Sequence, residues 1–181
     1  MEEQFVEENV RTRLILAGIA ELEEHGLTDF SLRRAALAAQ VSCAAPYRHF
    51  KDKEAYIDEI IKYVGSKWEL LTREIEKIFA SDPVRLATET CISSIRFRIA
   101  NRNFRSVFTL AARGDKHGVL DGAVDRAVRR YAEYRGLDER ECEIKIFTAK
   151  ALINGALLMV GDDNGERILE LALAKLASEF K

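Results

Sequence analysis

The sequence predicts an all-α fold, because turn-forming residues are scarce and apolar residues recur at helical spacing. The 181 residues include only two prolines, Pro46 and Pro83, and ten glycines. Such a sparse supply of turn residues favours long helices and short loops over strands. Hydrophobic residues make up 48% of the chain and charged residues 32%, which is typical of a soluble protein with a substantial core.

The boundaries of about nine predicted helices follow from capping residues, breaks and apolar stripes with a helical period. Ser31, Ser42, Asp52 and Asp138 are the expected N-caps, and Pro83 lies just inside a helix start. The segment after Asp52 is either one bent helix or two consecutive helices. The predicted helices span residues 9–25, 32–39, 43–50, 53–79, 83–100, 104–112, 119–135, 141–160 and 164–180, with loops at 114–118 and 161–165.

The stretch Ser31–Lys53 contains two short helical patterns joined by a turn at Ala39–Ser42. Two short helices joined by a tight turn are typical of a helix-turn-helix motif, whose second helix can enter a DNA major groove. The stretch carries five basic residues against Asp52 alone, a net charge of +4, whereas the whole chain has a net charge of −2. This local positive charge favours DNA phosphates as partners, and a merely solvated helix pair is the alternative.

A motif in this stretch resembles the signature of the TetR family of bacterial transcriptional regulators. It reads Val41-Ser42, four residues, Tyr47, one residue, His49-Phe50, two residues, Lys53-Glu54. The resemblance is sharp over residues 10–61 and architectural beyond them. It implies a DNA-binding domain at 1–53 and a ligand-binding and dimerisation domain at 54–181, linked by the helix that follows Asp52.

The chain departs from the family pattern at two points. Gln40 stands in the turn, where the family usually has Gly, and a left-handed conformation of Gln40 costs on the order of 1 kcal/mol. Ala44-Ala45-Pro46 stands where the family often has Gly-Thr-Leu, so the hydroxyl that often contacts DNA is absent at Ala45.

Side-chain chemistry assigns the reading role to Arg48, which alone on the second helix can form a bidentate pair with guanine. Ala44 and Ala45 are short enough to approach thymine methyl groups. The amides at the start of the first helix, with the Ser31 hydroxyl, suit a backbone phosphate, and Arg33 points away from the apolar stripe.

The resemblance further implies phosphate contacts from Tyr47, His49 and Lys53. A half-buried ring is the alternative for Tyr47, and a helix-end histidine is the alternative for His49. The predicted DNA-binding residues are therefore Ser31, Arg33, Ser42, Cys43, Ala44, Ala45, Tyr47, Arg48, His49 and Lys53.

The last predicted helix carries an apolar stripe that is broader than one monomer face needs, and the helix before it carries a stripe that contains small residues. Such an apolar hairpin can form a four-helix bundle with a second copy. The resemblance also implies a homodimer through this pair, and an intramolecular core is the alternative. The predicted interface residues are Ile144, Phe147, Ala151, Gly155, Leu158, Leu169, Leu173 and Leu176.

An effector pocket is implied by the resemblance, with aromatic side chains as its lining and arginines as polar anchors. A core role for the aromatics and a surface role for the arginines are the alternatives. The candidate residues are Trp68, Arg96, Phe97, Phe104, Phe108 and Arg113. An apolar or anionic small molecule is the expected ligand.

Other function classes lack their motifs. The three cysteines are far apart and fit reduced cytosolic thiols, with a redox switch at Cys43 as an alternative.

The longest apolar run, 151–160, is shorter than the about 20 residues of a membrane span, and the acidic N-terminus is unlike a signal peptide. The histidines have no catalytic spacing, and no phosphate loop or nucleophile elbow occurs.

The sequence thus predicts a cytoplasmic homodimer that binds a pseudopalindromic DNA operator and a small-molecule effector, most often as a repressor. It predicts no enzyme activity, cofactor, metal or membrane partner. An all-α ligand-binding or interaction module without DNA binding is the alternative function.

Overall fold

A computed structural model describes the backbone of residues 2–113, 118–161 and 164–181, and the side chains of residues 9–110, 122–161 and 164–181. All regular structure in these ranges is helical, which confirms the all-α prediction. The helices are α1 Glu2–His25, α2 Leu32–Ala38, α3 Ala45–His49, α4 Lys53–Ile78, α5 Pro83–Ala100, α6 Arg105–Arg113, α7 Gly118–Arg135, α8 Glu139–Met159 and α9 Gly165–Glu179, with a 3₁₀ turn at Arg102–Phe104.

Most predicted helix starts are confirmed by side-chain caps. The Ser31 hydroxyl accepts a hydrogen bond from the Arg34 amide at 3.3 Å, and Asp52 Oδ1 accepts one from Ala55 at 2.8 Å. Asp138 forms a capping box with Glu141. The segment after Asp52 is the single helix α4. Most of the predicted loop 114–118, and residues 162–163 of the predicted turn 161–165, lie outside the described residues.

One predicted cap is wrong. Helix α3 begins at Ala45, its N-cap is Ala44, and no side chain caps it, so Ser42 lies outside the helix. Pro46 explains the late start, because proline is favoured within the first turn, where its missing amide has no partner to lose. The helix is consequently only five residues long.

The first compact unit, which we call the head, contains the chain through Ser66 and the segment from Asn103 that includes α6. Tyr56 of α4 lies at its centre. The Tyr56 ring stacks on Phe50 at 4.3 Å between centroids and packs edge-on against Phe30 at 5.5 Å. Its hydroxyl donates to the carbonyl of Leu14 in α1. The helix-turn-helix is therefore joined to α1 and α4 by one aromatic cluster.

Gly18 of α1 faces the ends of the Ile60 and Tyr56 side chains of α4. A Cβ atom at Gly18 would lie 2.6 Å from Ile60 Cδ1 and 2.9 Å from the Tyr56 hydroxyl. Carbon atoms in contact are normally about 3.5–4.0 Å apart, so a side chain at position 18 would require the Ile60 and Tyr56 side chains to shift.

The second compact unit, which we call the core, contains Lys67–Arg102 and the chain from α7 onward. Its larger buried cluster comes from α5, α7, α8 and α9. The fully buried members include Cys91, Ile92, Ile95, Val128, Ala149, Leu176 and Phe180. The chain thus divides by packing within α4, between Ser66 and Lys67. The roles expected for residues 1–53 and 54–181 stay a prediction.

None of the helices in the described ranges is both long enough and apolar enough to cross a membrane.

Candidate nucleic-acid interface

The turn between α2 and α3 is a Schellman motif, a standard end for a helix. The Val41 amide donates to the Ala36 carbonyl at 3.0 Å, and the Gln40 amide donates to the Leu37 carbonyl at 2.9 Å. The motif requires a left-handed residue, and Gln40 has φ +55°. Gln40 therefore has the left-handed conformation that was considered from the sequence.

Arg13 of α1 contacts the outside of this turn. Its Nη2 nitrogen donates to the Gln40 carbonyl at 3.1 Å and also to the carbonyl of Ala39. The Schellman bonds leave both of these carbonyls without a backbone partner, and a cation at a helix C-terminus also complements the helix dipole.

Glu21 of α1 holds the other end of α2. This buried carboxylate accepts the Ser31 amide at 3.0 Å and the Arg34 Nε at 2.8 Å. Burial raises the pKa of Glu21, but the bonds from Arg34 and Ser31 outweigh burial and hold that pKa below its ordinary value. Arg34 also pairs with Asp29, at 3.3 Å. One of the five cations counted in this stretch is therefore neutralised within the head.

The same contacts narrow the amide prediction at the start of α2. Glu21 occupies the Ser31 amide and the Ser31 hydroxyl occupies the Arg34 amide, so these two amides are not open to a phosphate, whereas phosphate contacts of the Leu32 and Arg33 amides stay predictions. The Ser31 hydroxyl hydrogen and the exposed Arg33 stay predicted contacts.

The outward face of α3 and the turn before it carry most of the predicted reading residues. Ser42, Cys43, Ala44, Tyr47 and Arg48 are exposed, and the Tyr47 side chain reaches an exposed fraction of 66%. This exposure excludes the half-buried ring that was the alternative for Tyr47. The face offers one guanidinium, one phenol, two small polar groups and a methyl group.

The position of Ala45 is corrected. Ala45 is buried, as is its neighbour Pro46, so its methyl group packs into the head instead of facing a groove. Ala45 is the first residue of a helix that begins at residue 45 and not at residue 43, and its side chain faces the interior of the head. Because the helix has fewer turns than expected, the reading face depends on residues 47 and 48 more than the sequence indicated.

His49 and Lys53 are partly buried at the junction of α3 with α4. Lys53 Nζ donates to the Leu27 carbonyl at 2.9 Å and lies 5.7 Å from the Phe30 ring centroid. An ammonium group has three donors, so this bond leaves two donors for a phosphate. The phosphate contacts of His49 and Lys53 stay predictions.

The candidate pocket residues fall into two aromatic pairs, one in each compact unit. In the core, Trp68 is buried and lies 5.4 Å from Phe97 between ring centroids. In the head, Phe104 and Phe108 pack edge to face at 6.2 Å. Arg96 is exposed on α5, and the side chain of Arg113 lies outside the described residues.

The predicted dimer residues separate into an exposed and a buried set. Ile144, Phe147, Ala151 and Leu158 are exposed along α8, with Leu158 at an exposed fraction of 88%, and Gly155 is partly exposed. Leu169 and Leu173 of α9 pack partly against the core cluster. Leu176 is fully buried there, so its place in an interface is corrected, and the intramolecular alternative holds for it.

Sequence reasoning missed Glu21 and Arg13, which hold the two ends of α2. Glu21 had a detectable signal, because it lies seven residues after Leu14 and three after Gly18, on the apolar stripe of α1 itself. Arg13 had no such signal, because its partners are backbone carbonyls.

Comparisons with known proteins agree with this fold. No protein-family model matches the sequence, and no curated protein matches it. A solved TetR-family regulator, PfmR from Thermus thermophilus, matches with a TM-score of 0.69 at 18% identity, over 92% of this chain and 94% of its own. FadR from Bacillus subtilis, solved with stearoyl-CoA, matches with a TM-score of 0.72 at 16% identity, over 93% and 98%.

A third solved structure, a TetR-family regulator from Marinobacter aquaeolei, matches with a TM-score of 0.69 at 18% identity. The match covers 99% of this chain and 98% of the neighbour, so both the head and the core are included. The chain therefore has the fold of the TetR-family transcriptional regulators.

Proposed function

We propose that the chain is a homodimeric, sequence-specific DNA-binding regulator of transcription, a repressor that a small-molecule effector releases. The observation that carries this proposal is the helix-turn-helix of the head, whose second helix exposes Tyr47 and Arg48. Helix α3 docks in a major groove, Arg48 pairs with a guanine, and the cations around it neutralise phosphates.

The dimer proposal rests on the exposed apolar face of α8. Phe147 and Leu158 have exposed fractions of 74% and 88%, and Ile144 lies on the same face. Full burial of one such side chain is worth roughly 1.5–3 kcal/mol, so a second copy of this face is its best partner. Two heads then read two half-sites about 34–36 Å apart, or a multiple of that distance.

The effector proposal rests on polar atoms buried in the core. Trp68 Nε1 and Thr90 Oγ1 are buried and have no hydrogen-bond partner in the described part of the chain. Unpaired buried donors cost about 1–3 kcal/mol each, which a ligand with acceptor oxygens would recover. FadR was solved with stearoyl-CoA, a ligand with a long apolar chain and polar oxygens, and this is the class we propose.

Fluorescence tests the effector proposal, because Trp68 is the only tryptophan of the chain. Titration with stearoyl-CoA should change its emission saturably and weaken DNA binding. Thr90→Val, which keeps the shape but removes the hydroxyl, should weaken the stearoyl-CoA response. A titration without any change in emission would argue against an acyl-CoA effector.

A second candidate is an all-α ligand-binding module that does not bind DNA. The burial of Ala45 and the Glu21 carboxylate at the start of α2 favour it, because both reduce the surface offered to a phosphate or a groove. The same core and the same α8 face would serve that function.

Selection of duplexes from a random DNA library, followed by a salt-titrated shift assay, separates the two functions. The regulator should enrich a pseudopalindrome and bind it with an affinity that falls steeply with salt. Absence of enrichment, with only weak binding to every duplex, would favour the ligand-binding module.

A further inference from the structure

The same Schellman motif ends two helices of this chain, one in the head and one in the core. At the end of α7 the left-handed residue is Gly136, with φ +66° and bonds of 3.2 Å and 3.0 Å from Gly136 and Leu137 to the preceding turn. At the end of α2 the left-handed residue is Gln40, with bonds of 2.9 Å and 3.0 Å. The two hydrogen-bond patterns are the same, but only one uses glycine.

A residue other than glycine in this conformation is strained, because its Cβ atom crowds the backbone. A strained residue persists only where its surroundings hold it in place. For Gln40 the surroundings include Arg13, whose Nη2 nitrogen donates to the carbonyls of both Ala39 and Gln40. Arg13 thus contacts the turn on the two carbonyls that the motif itself leaves open.

The Arg13 contact also has favourable electrostatics. The carbonyls at the end of α2 carry the negative end of the helix dipole, and a guanidinium is the side chain that donates best to such a pair. Hydrogen bonds with a charged donor are roughly twice as strong as neutral ones. Arg13 comes from α1, which Tyr56 joins to α4, so the turn is tied to the centre of the head.

We propose that Arg13 is a positioning residue for DNA reading: it holds the Gln40 turn in its left-handed form and thereby sets the angle between α2 and α3. This inference rests on the proposed DNA-binding function. A glycine in the turn would adopt the left-handed conformation without strain, and in this chain Arg13 instead holds Gln40 in that conformation. Arg13 acts through the backbone of the turn and not on DNA.

A double-mutant cycle tests this role through DNA affinity, measured on a duplex enriched from the random library. Arg13→Ala should weaken binding roughly tenfold when residue 40 is Gln. In the Gln40→Gly background the turn is unstrained, so the same Arg13→Ala change should weaken binding less than about threefold. An equal loss in both backgrounds, or no loss in either, would overturn the proposal.

Amide hydrogen exchange tests the turn without DNA. In Arg13→Ala, the Gln40 and Val41 amides should lose protection, while the Gly136 and Leu137 amides keep theirs as an internal reference. Unchanged protection at Gln40 and Val41 would overturn the proposal. Arg11→Ala is the matched control, because Arg11 lies on the same helix but pairs with Glu59, and it should leave both turns protected.

Both the DNA-affinity and the amide-exchange measurements require folded variants. Arg13→Lys keeps the charge but replaces the planar guanidinium with a single ammonium group. Its DNA affinity and its protection of the turn should therefore fall between those of wild type and Arg13→Ala. If the wild-type chain enriches no duplex, the proposed function fails, and the hold of Arg13 on the turn is then decided by exchange alone.

Discussion

Two exposed surfaces of this chain, one in each compact unit, leave large side chains in solvent for different reasons. The face of α3 exposes Tyr47 and Arg48, whereas the face of α8 exposes Phe147 and Leu158. The first pair keeps its polar ends hydrated, so its exposure costs little. The second pair is hydrocarbon, and its exposure costs roughly 1.5–3 kcal/mol per side chain relative to burial.

This difference supports the different partners that we propose for the two surfaces. A hydrated, positively charged face gains by exchanging water for phosphates and base edges. An apolar face gains only by being covered, and a stripe with helical spacing is covered best by another helix. Substitutions on each surface should separate the two roles, from the largest expected effect to the smallest.

Phe147→Glu should have the largest effect, because it places a charge in the centre of the α8 face. We expect a monomer by light scattering, and a loss of operator affinity of about a hundredfold or more, since two linked heads gain 10²–10⁴ in avidity. Leu70→Glu is the control, because Leu70 is also largely exposed, at 65% against 74% for Phe147, but lies on α4. If the Phe147→Glu protein were still a dimer, the α8 face could not be the dimer interface.

Arg48→Ala should cost about 1–3 kcal/mol of operator binding and relax the base preference at one position of each half-site. The measurement is a competition assay on the selected duplex and on random duplex. Arg33→Ala should weaken binding to both duplexes by similar factors, because Arg33 is expected to contact phosphate. The same loss for Arg48→Ala on both duplexes would contradict its reading role.

Gly18→Ala should destabilise the head by about 1–3 kcal/mol, because the added methyl group overlaps Ile60 and Tyr56. Gly155→Ala on the α8 face is the matched change, because nothing lies within 4 Å of a Cβ atom there. It should stabilise its helix by up to about 1 kcal/mol and weaken only the dimer. Chemical unfolding and light scattering measure the two effects, and a destabilising Gly155→Ala would contradict this contrast.

Lys53→Ala should weaken binding to every duplex and lower the salt slope by about 0.9 for each phosphate that Lys53 neutralises. Its bond to Leu27 also links the start of α4 to the turn after α1, so stability must be measured in parallel. A weaker affinity with an unchanged salt slope would assign Lys53 a structural role only.

The smallest effect concerns pH and the anchoring of α2 behind the reading face. The pKa of Glu21 is lower in the folded head than its ordinary value, so Glu21 stabilises the fold fully above about pH 4.3. That contribution is lost as pH falls through the lowered value. Glu21→Gln should therefore be less stable at neutral pH and lose less on acidification, while exposed Glu24→Gln should follow wild type. Parallel acid curves for Glu21→Gln and wild type would contradict the anchoring role.

Features that depend on neighbouring residues were predictable. Asp52 and Asp138 were expected at helix starts, and both accept hydrogen bonds from the third amide that follows, as local capping requires. The left-handed conformation of Gln40 was considered because the family that the motif resembles usually has Gly at this place in the turn. Phe147 and Leu158, which are exposed, were among the residues expected at an interface with a second copy.

Features that depend on distant packing were not predictable. Ala45 and Ala44 are identical in type and adjacent, and only the packing of α3 against the rest of the head buries one and exposes the other. Leu176 belongs to the same stripe as Leu169 and Leu173, and packing in the core cluster alone decides that it is fully buried.

The sequence by itself determined the all-α class, most of the caps and the helix-turn-helix of this protein, because periodicity and capping act between residues at most a few turns apart. The tertiary structure alone decided which side chains of those helices reach solvent and how α1 holds both ends of α2. The physical reason is that Arg13 and Glu21 bind backbone groups and side chains 10 to 27 residues away, and such partners exist only once the chain has folded.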